Sequence, residues 1–229
     1  MYVCVDYLEN GIKKLLENRS DIFEFHENEI KALLNRYCDE IELFNPAYGL
    51  VSVKDRSELV IKHILDSLAP LEFIKKLVDN FPQNPCIADV GSGAGMPGIP
   101  LAVALPNVSF CLIERMGRRA GFLQNTAAVL ALHNVEILEM EMEKAPPALA
   151  DMVCFRAFRP LSPEILKKLF RLLKSGGYIA AYKGRRAALD TEMAALSTNQ
   201  NGQNIDAHII SYKVPFLDDE RNILFAKKP

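Results

Sequence analysis

Ile87-Ala-Asp89-Val-Gly91-Ser-Gly93-Ala-Gly95-Met-Pro-Gly98 is the stretch on which the reading of the fold depends. A short apolar run, Cys86 to Ala88, ends in the acid Asp89, and glycines follow at alternate positions before a helix-compatible segment begins. Glycine permits backbone conformations closed to other residues and lets a ligand come close to the main chain. A strand that passes through such a turn into a helix presents backbone N–H groups at its tip, a ready seat for a nucleotide-like ligand. The bland alternative is a tight turn that holds nothing.

Two ligand classes use this geometry. Dinucleotide sites rest a pyrophosphate on the helix N-terminus, and Gly93-Ala-Gly95-Met-Pro-Gly98 satisfies the letter of G-x-G-x-x-G. Asp89, just upstream, would repel that pyrophosphate. S-adenosylmethionine carries a cationic sulfonium and an ammonium beside its adenosine, so an acid at the strand tip favours it. A second strand, expected over 108–113, ends in Glu114, which is placed for ribose hydroxyls. NAD sites also use an acid there. The charge at Asp89 is what favours S-adenosylmethionine over NAD.

The 229 residues can bury a full core, either as one large domain or as a domain with an appendage. Hydrophobic content of 49% and charged content of 24% are those of a globular protein that needs no membrane. No apolar run reaches the length of a membrane span, and the acidic, interrupted N-terminal segment does not read as a signal peptide. The cysteines Cys4, Cys38, Cys86, Cys111 and Cys154 are odd in number and form no C-x-x-C pair, which points to reduced thiols in the cytoplasm and no zinc. The net charge of −2 conceals an asymmetry: residues 1–84 hold 10 Lys/Arg against 15 Asp/Glu, whereas residues 85–229 hold 17 against 14. A basic half beside an acidic one leaves room for a nucleic-acid face.

Leu8, Ile12, Leu15 and Leu16 share one helical face, and Ile30, Leu33, Leu34, Tyr37, Ile41 and Phe44 repeat the period. Asn45-Pro46 is expected to stop that helix, and Leu59 to Leu68 and Leu71 to Val78 predict two more, divided by Ala69-Pro70. Glu9, Glu17, Glu24, Glu27 and Glu29 read as a solvated face. From Pro85 the pattern alternates, with strands expected near 86–90, 108–113, 135–139, 151–155 and 176–182 and helices near 97–104, 117–132 and 162–173. A helix over 187–197 and a closing pair of strands over 205–213 and 221–227, the last antiparallel, complete the expectation. Such alternation implies a mostly parallel sheet covered on both faces. The chain therefore divides into a helical N-terminal extension, 1–80, and a Rossmann-like domain, 81–229. Ligands of such sheets lie beyond the carboxyl ends of the strands. Those loops hold Glu114, Glu143, Arg156, Lys183, Arg185 and Arg186, with Arg115, Arg118 and Arg119 close behind.

Further motifs carry a resemblance. Asn45-Pro-Ala-Tyr-Gly-Leu-Val-Ser-Val-Lys-Asp-Arg56, Lys62-His-Ile-Leu-Asp-Ser67, Asp89-Val-Gly-Ser-Gly-Ala-Gly-Met-Pro-Gly-Ile-Pro100, Gly117-Arg-Arg, Phe122-Leu, Arg156-Ala, Lys183-Gly and the segment ending Leu217-Asp-Asp-Glu-Arg221 stand in one order. In that order they resemble the RsmG (GidB) family of ribosomal small-subunit RNA guanine-N7 methyltransferases over nearly the whole length. The resemblance implies a class I methyltransferase with a seven-stranded sheet, S-adenosylmethionine as cofactor and small-subunit ribosomal RNA, or the subunit, as partner. It implies cofactor contacts from Gly91 and Met96, main-chain contacts to adenine from Met142 and Glu143, and a cofactor-side role for Arg156. Two positions depart from the family pattern: Phe155 stands where a small polar residue is usual, and Glu141 where an arginine is common.

The chemistry agrees by what it lacks. Guanine N7 offers a free lone pair and loses no proton, so its methylation needs positioning and no general base. A cytosine-C5 enzyme would need a thiolate at the cofactor, and Cys154, between Val153 and Phe155, reads as a core thiol. An exocyclic-amine enzyme would carry N-P-P-Y after the fourth strand; Asn45-Pro46-Ala47-Tyr48 resembles it but lies before the glycine turn. Arg156 is either paired with a local carboxylate or set beside the cofactor or the O6 edge of guanine. Lys183, Arg185 and Arg186 are either a solvated helix start or phosphate ligands. Arg115, Arg118 and Arg119 stand at a helix start, a poor place for cations, which hints at RNA. His63 and Asp66, at i and i+3, read first as a local hydrogen-bonded pair. The expectation is thus a cytoplasmic, monomeric, metal-free methyltransferase acting on a guanine N7 in an RNA loop. Its cofactor would be held by Asp89, Gly91, Gly93, Gly95, Met96, Glu114, Met142, Glu143 and Arg156. Its rivals are a small-molecule methyltransferase of the same fold, a non-catalytic S-adenosylmethionine-binding RNA module and, more distantly, an NAD dehydrogenase.

Overall fold

Apolar residues at helical spacing bury one face of α1 (Tyr7–Leu16) and of α2 (Glu27–Tyr48), with Leu8, Ile12, Ile30, Leu34, Tyr37 and Ile41 almost wholly enclosed. The computed structural model describes residues 6–17, 27–81, 83–157, 160–197 and 205–229; Cys4 and Glu24, singled out above, lie outside them. The expected stop at Asn45-Pro46 is not where α2 ends. The helix carries Pro46 in its last turn and runs on to Tyr48. A proline so near the end removes one backbone donor without breaking the turns before it. Gly49, in the left-handed region (φ 59°), closes the helix by donating its N–H to the Asn45 carbonyl at 2.9 Å.

The next helix starts earlier than its apolar spacing predicts. Asp55 caps α3 (Arg56–Leu59) by accepting from the Glu58 N–H at 2.9 Å, while the Glu58 carboxylate reaches back to the Lys54 N–H at 2.6 Å. The chain then widens into a π-helical segment, π1 (Val60–Leu65), before α4 (Asp66–Leu68) and α5 (Leu71–Val78). Such π turns are uncommon and tend to occur at functional sites.

From Cys86 the elements alternate: β1 (Cys86–Val90), α6 (Gly98–Ala104), β2 (Ser109–Glu114), α7 (Gly117–Val129), β3 (Val135–Glu139), β4 (Ala150–Arg156), α8 (Pro163–Leu172), β5 (Leu173–Lys183), α9 (Arg186–Ser197), β6 (Ala207–Val214) and β7 (Leu217–Lys227). The seven strands form one sheet in the order β3-β2-β1-β4-β5-β7-β6. All neighbours up to β5 pair in parallel, and β7 runs antiparallel to both β5 and β6. The chain leaves β1 toward β2 and β3, then returns to the other side of β1 for β4. That reversal opens a crevice at the carboxyl ends of β1 and β4, where open sheets of this kind bind ligands.

Alternate residues of β1 face opposite sides of the sheet. Ile87 belongs to a core that also contains Leu8, Ile30, Tyr37, Leu59, Ile64 and Ile74 from the N-terminal helices. Ala88 and Val90 face the opposite core with Leu166 and Leu169 of α8 and Leu189 of α9. The N-terminal helices therefore cover one face of the sheet and share its core. Burial pushes the thiols of Cys38 and Cys111 up to about 12, as expected of apolar core residues.

Candidate cofactor cleft and adjoining base pocket

The turn after β1 is built from inside the protein. Asp89 is fully buried, and its Oδ2 accepts from the Ser92 hydroxyl at 2.7 Å and the Gly98 N–H at 3.0 Å. One carboxylate thus ties both ends of the glycine loop and the start of α6. A Cβ at Gly98 would strike Leu112 and come within 2.7 Å of Asp89 Oδ2, so only glycine fits over the acid. Burial raises the Asp89 carboxyl to about 6, and its Oδ1 has no hydrogen-bond partner. The structure places this acid beneath the turn, where it braces the loop.

Gly91, Gly93 and Gly95 all lie at positive φ. Gly95 is also hemmed in: a Cβ there would meet Ile99 at 2.6 Å and the Tyr37 hydroxyl at 3.1 Å. Tyr37, wholly buried on α2, donates to the Ala94 carbonyl at 2.5 Å. Gly93 is less crowded, since a Cβ there would meet nothing nearer than the Gly91 carbonyl at 3.8 Å and Arg119 Nη1 at 4.0 Å. That opening is where a ligand can approach the main chain.

A cleft of about 380 Å³, within the range for small-molecule sites, lies beside the turn at Gly91, while Gly93, Gly95 and Met96 are not among its lining residues. Its walls include Gly91, Glu114, Arg115, Arg119, Met142 and Glu143, all named from sequence, together with Ile113, Met116, Met140 and Ala157. Glu114 is nearly buried, and it accepts from the Gly93 N–H at 2.9 Å and the Met116 N–H at 2.8 Å. Its carboxylate therefore joins the end of β2 to the glycine loop. Arg171 on α8 stiffens the opposite wall by donating to the carbonyls of Met142, Glu143 and Ala145 at 2.7–3.0 Å. The Glu143 carboxylate turns outward to Lys168 at 2.9 Å. An acid at the floor, methionines on the wall and a glycine turn open to the main chain fit an adenosine-bearing, cationic ligand.

A second cleft, of about 580 Å³, adjoins the first at Ala157, which lines both. Its walls include Lys62, His63 and Asp66 from π1 and α4, Arg156 from β4, Lys183 from β5 and Arg221 from β7. Arg156 donates to the Lys62 carbonyl at 2.9 Å and Asp66 Oδ2 at 3.1 Å through Nη1, and contacts His63 Nδ1 at 2.6 Å and Met96 Sδ at 3.2 Å through Nη2. Asp66 also accepts from Arg221 at 3.2 Å and from the Tyr212 hydroxyl at 3.3 Å. Burial and the Arg156 charge depress the His63 imidazole to about 4, so it is neutral in ordinary buffers.

His63 and Asp66 are thus not the local pair that their spacing suggested; both turn to Arg156, which lies 93 and 90 residues away in sequence. Lys183 pairs with Glu192 at 2.6 Å and lies over the Phe155 ring, so it is a braced wall of the cleft. Arg185 and Arg118 are exposed outside both clefts, and Arg186 holds Asp190 at 2.8 Å. Sequence reasoning missed Ser52, Tyr182, Glu192 and Tyr212 as lining residues. Only long-range pairing brings them to the second cleft, and no local spacing announces that. Among the described residues no cluster of His, Cys, Asp and Glu is built to hold a metal ion.

Comparison with known proteins agrees with this geometry. Residues 30–223 match the family described as GidB, rRNA small subunit methyltransferase G. The chain is 37% identical, over 249 aligned positions, to the ribosomal RNA small subunit methyltransferase G of Treponema denticola, covering 98% of this chain and 96% of that one. It is 31% identical to the Salmonella agona protein of the same name, covering 95% and 97%. Among solved structures, an S-adenosylmethionine-dependent O-methyltransferase from Thermotoga maritima superposes with a TM-score of 0.54 at 18% identity, covering 84% of this chain and 71% of that one. A methyltransferase from Aquifex aeolicus that depends on the same cofactor gives 0.53 at 18% identity, covering 84% and 98%. These two likenesses establish the class I methyltransferase fold.

Proposed function

The chain belongs to the rRNA small subunit methyltransferase G family, and from that premise we propose that it methylates small-subunit ribosomal RNA with S-adenosylmethionine, at N7 of a guanine. The observation that carries this reading is the meeting of the two clefts at Ala157. One is suited to the adenosine of the donor, and the other is lined by cations and large enough for a base turned out of its stack. When bound, the cofactor supplies an electrophilic methyl on its sulfonium.

The residues of this chain position and shield. Glu114 and the wall at Met142 and Glu143 hold the adenosine end, while the braced turn at Gly91–Gly95 carries the methionine end. Guanine N7 attacks through a lone pair that bears no proton, so no side chain need remove one. The neutral His63 and the ion-paired Arg156 are consistent with a site that orients its substrate. Orientation of this kind supplies about 7–11 kcal/mol toward the barrier. Arg118, Arg185 and Arg186, which line neither cleft, are the cations we assign to the RNA backbone around the target. No helix among the described residues is long and apolar enough to cross a membrane. We place its work on ribosomal RNA in the cytoplasm. We take the protein to act as a monomer.

The experiment is methylation of purified small-subunit RNA and of assembled subunits with labelled cofactor, followed by mapping of the product through strand scission at N7-methylguanine. Label at a single guanine that becomes scissile supports the reading. Label in RNA without scission would reject N7, and label only in small molecules of an extract would reject RNA.

A further inference from the structure

The geometry points to His63 as the residue that selects guanine, its Nε2–H donating to O6 of the target base in a tautomer fixed by Arg156. The inference rests on the second cleft being the base site. A guanidinium has donors only. With Arg156 Nη2 at 2.6 Å from His63 Nδ1, that nitrogen must present its lone pair. The proton of the neutral ring then sits on Nε2. Among the described residues nothing hydrogen-bonds to Nε2, and His63 lines the second cleft. Burial and the neighbouring guanidinium keep the ring from taking a second proton, its pKa being lowered to about 4.

Arg156 would be the obvious partner for O6, since arginine is the usual reader of guanine. In this structure its four Nη donors, the fork that would grip O6 and N7, are already engaged by the Lys62 carbonyl, Asp66, His63 and Met96. Its side chain is 15% exposed. It acts on the base through His63 and is a positioning residue. Its own charge is met by Asp66, which also holds Arg221.

The chemistry follows from the base. Beside N7, guanine presents the acceptor O6 and adenine presents an amino donor. A nitrogen that can only donate pairs with the first and opposes the second. Transfer of the methyl leaves the imidazole ring of the base cationic. A neutral donor at O6 adds no opposing charge, whereas an imidazolium or an unpaired arginine would.

Once the target guanine is mapped, it can be replaced within the RNA by 2-aminopurine, which keeps N7 and lacks O6, or by 7-deazaguanine, which keeps O6 and lacks N7. Wild-type enzyme should methylate the 2-aminopurine RNA about tenfold more slowly than the guanine RNA, the worth of one hydrogen bond. His63→Ala should be slow on both, with the preference gone, while binding the cofactor as wild type does. His63→Gln, which retains a donor near the Nε2 position, should restore part of the preference, and it serves in place of His63→Ala if that variant fails to fold. An undiminished preference in either His63→Ala or a donor-free His63→Leu, or no preference in wild type, would overturn the assignment. Transfer to the 7-deazaguanine RNA at the guanine rate would instead reject N7 as the acceptor, leaving the two failures distinguishable.

Discussion

The Tyr37 hydroxyl donates to the Ala94 carbonyl at 2.5 Å, across 57 residues of sequence, and so fastens α2 to the crown of the glycine turn. Helices that look like an appendage in sequence thus support the glycine turn directly. Tyr37→Phe keeps the ring and leaves that buried carbonyl without its donor. The loss should cost about 1–3 kcal/mol of stability and weaken cofactor affinity several-fold. Thermal unfolding and calorimetry read the two effects, and wild-type values in both would mean the turn stands without α2.

Gly93 lies at φ 61°, and space for a Cβ exists there. The left-handed backbone strains any side chain there, but aspartate tolerates it better than most residues, so Gly93→Asp should fold with some loss of stability. It brings a carboxylate beside Glu114 and a side chain into the proposed path of the cofactor. Cofactor affinity should fall by roughly a hundredfold or more, about 3 kcal/mol. Unchanged affinity by calorimetry would put the cofactor elsewhere.

Arg185 is exposed at the start of α9, and the Arg186 side chain makes an exposed ion pair with Asp190, which is worth little to stability, while its backbone N–H donates to Glu220 at 3.1 Å. Arg185→Glu with Arg186→Glu should weaken RNA binding at physiological salt, flatten its salt dependence by about one per lost phosphate contact, and spare cofactor affinity. RNA affinity equal to wild type in a salt titration would remove this rim from the interface.

His63 predicts a pH effect with a definite sign. Its folded pKa is depressed from 6.5 to about 4, so between those values the unfolded chain binds a proton that the native chain refuses. The stability it contributes is complete above pH 6.5 and is lost as pH falls through about 4. Its size is about 2 kcal/mol once solvent screening at the partly exposed ring is allowed for. Asp89 works the other way, because its pKa rises from 3.8 to about 6, so its contribution is lost as pH climbs through that window. The informative measurement is the difference between wild type and His63→Gln in denaturant titrations from pH 4 to 7. A difference that does not vary with pH would contradict the depressed imidazole.

The sheet was legible because its strands announce themselves locally. Expected strands at 86–90 and 135–139 match β1 and β3, and the switch to antiparallel order at the last strand follows from the closing pair. The glycine turn was legible too, since glycine spacing and the acids at strand ends are short-range signals. The second cleft was not. Asp66, Arg156, Tyr212 and Arg221 converge through bonds spanning 90 to 155 residues, and no periodicity encodes such a meeting. Asp89 shows the opposite limit: its charge selected a ligand class on paper, and only the fold shows that one of its oxygens, Oδ2, also ties Ser92 and Gly98 together beneath the loop. The run of π turns at Val60–Leu65 has no signature beyond an ordinary helical spacing.

β7 lies between β5 and β6, and its Arg221 reaches Asp66, 155 residues earlier in the chain. A nascent chain leaving the ribosome therefore makes its opening helices long before the strand that closes the sheet over them. Until residues 217–227 emerge, Asp66 lacks one of its cations and β5 has an unpaired edge. Synthesis that stalls before that strand would leave a fragment unable to read RNA and inclined to aggregate.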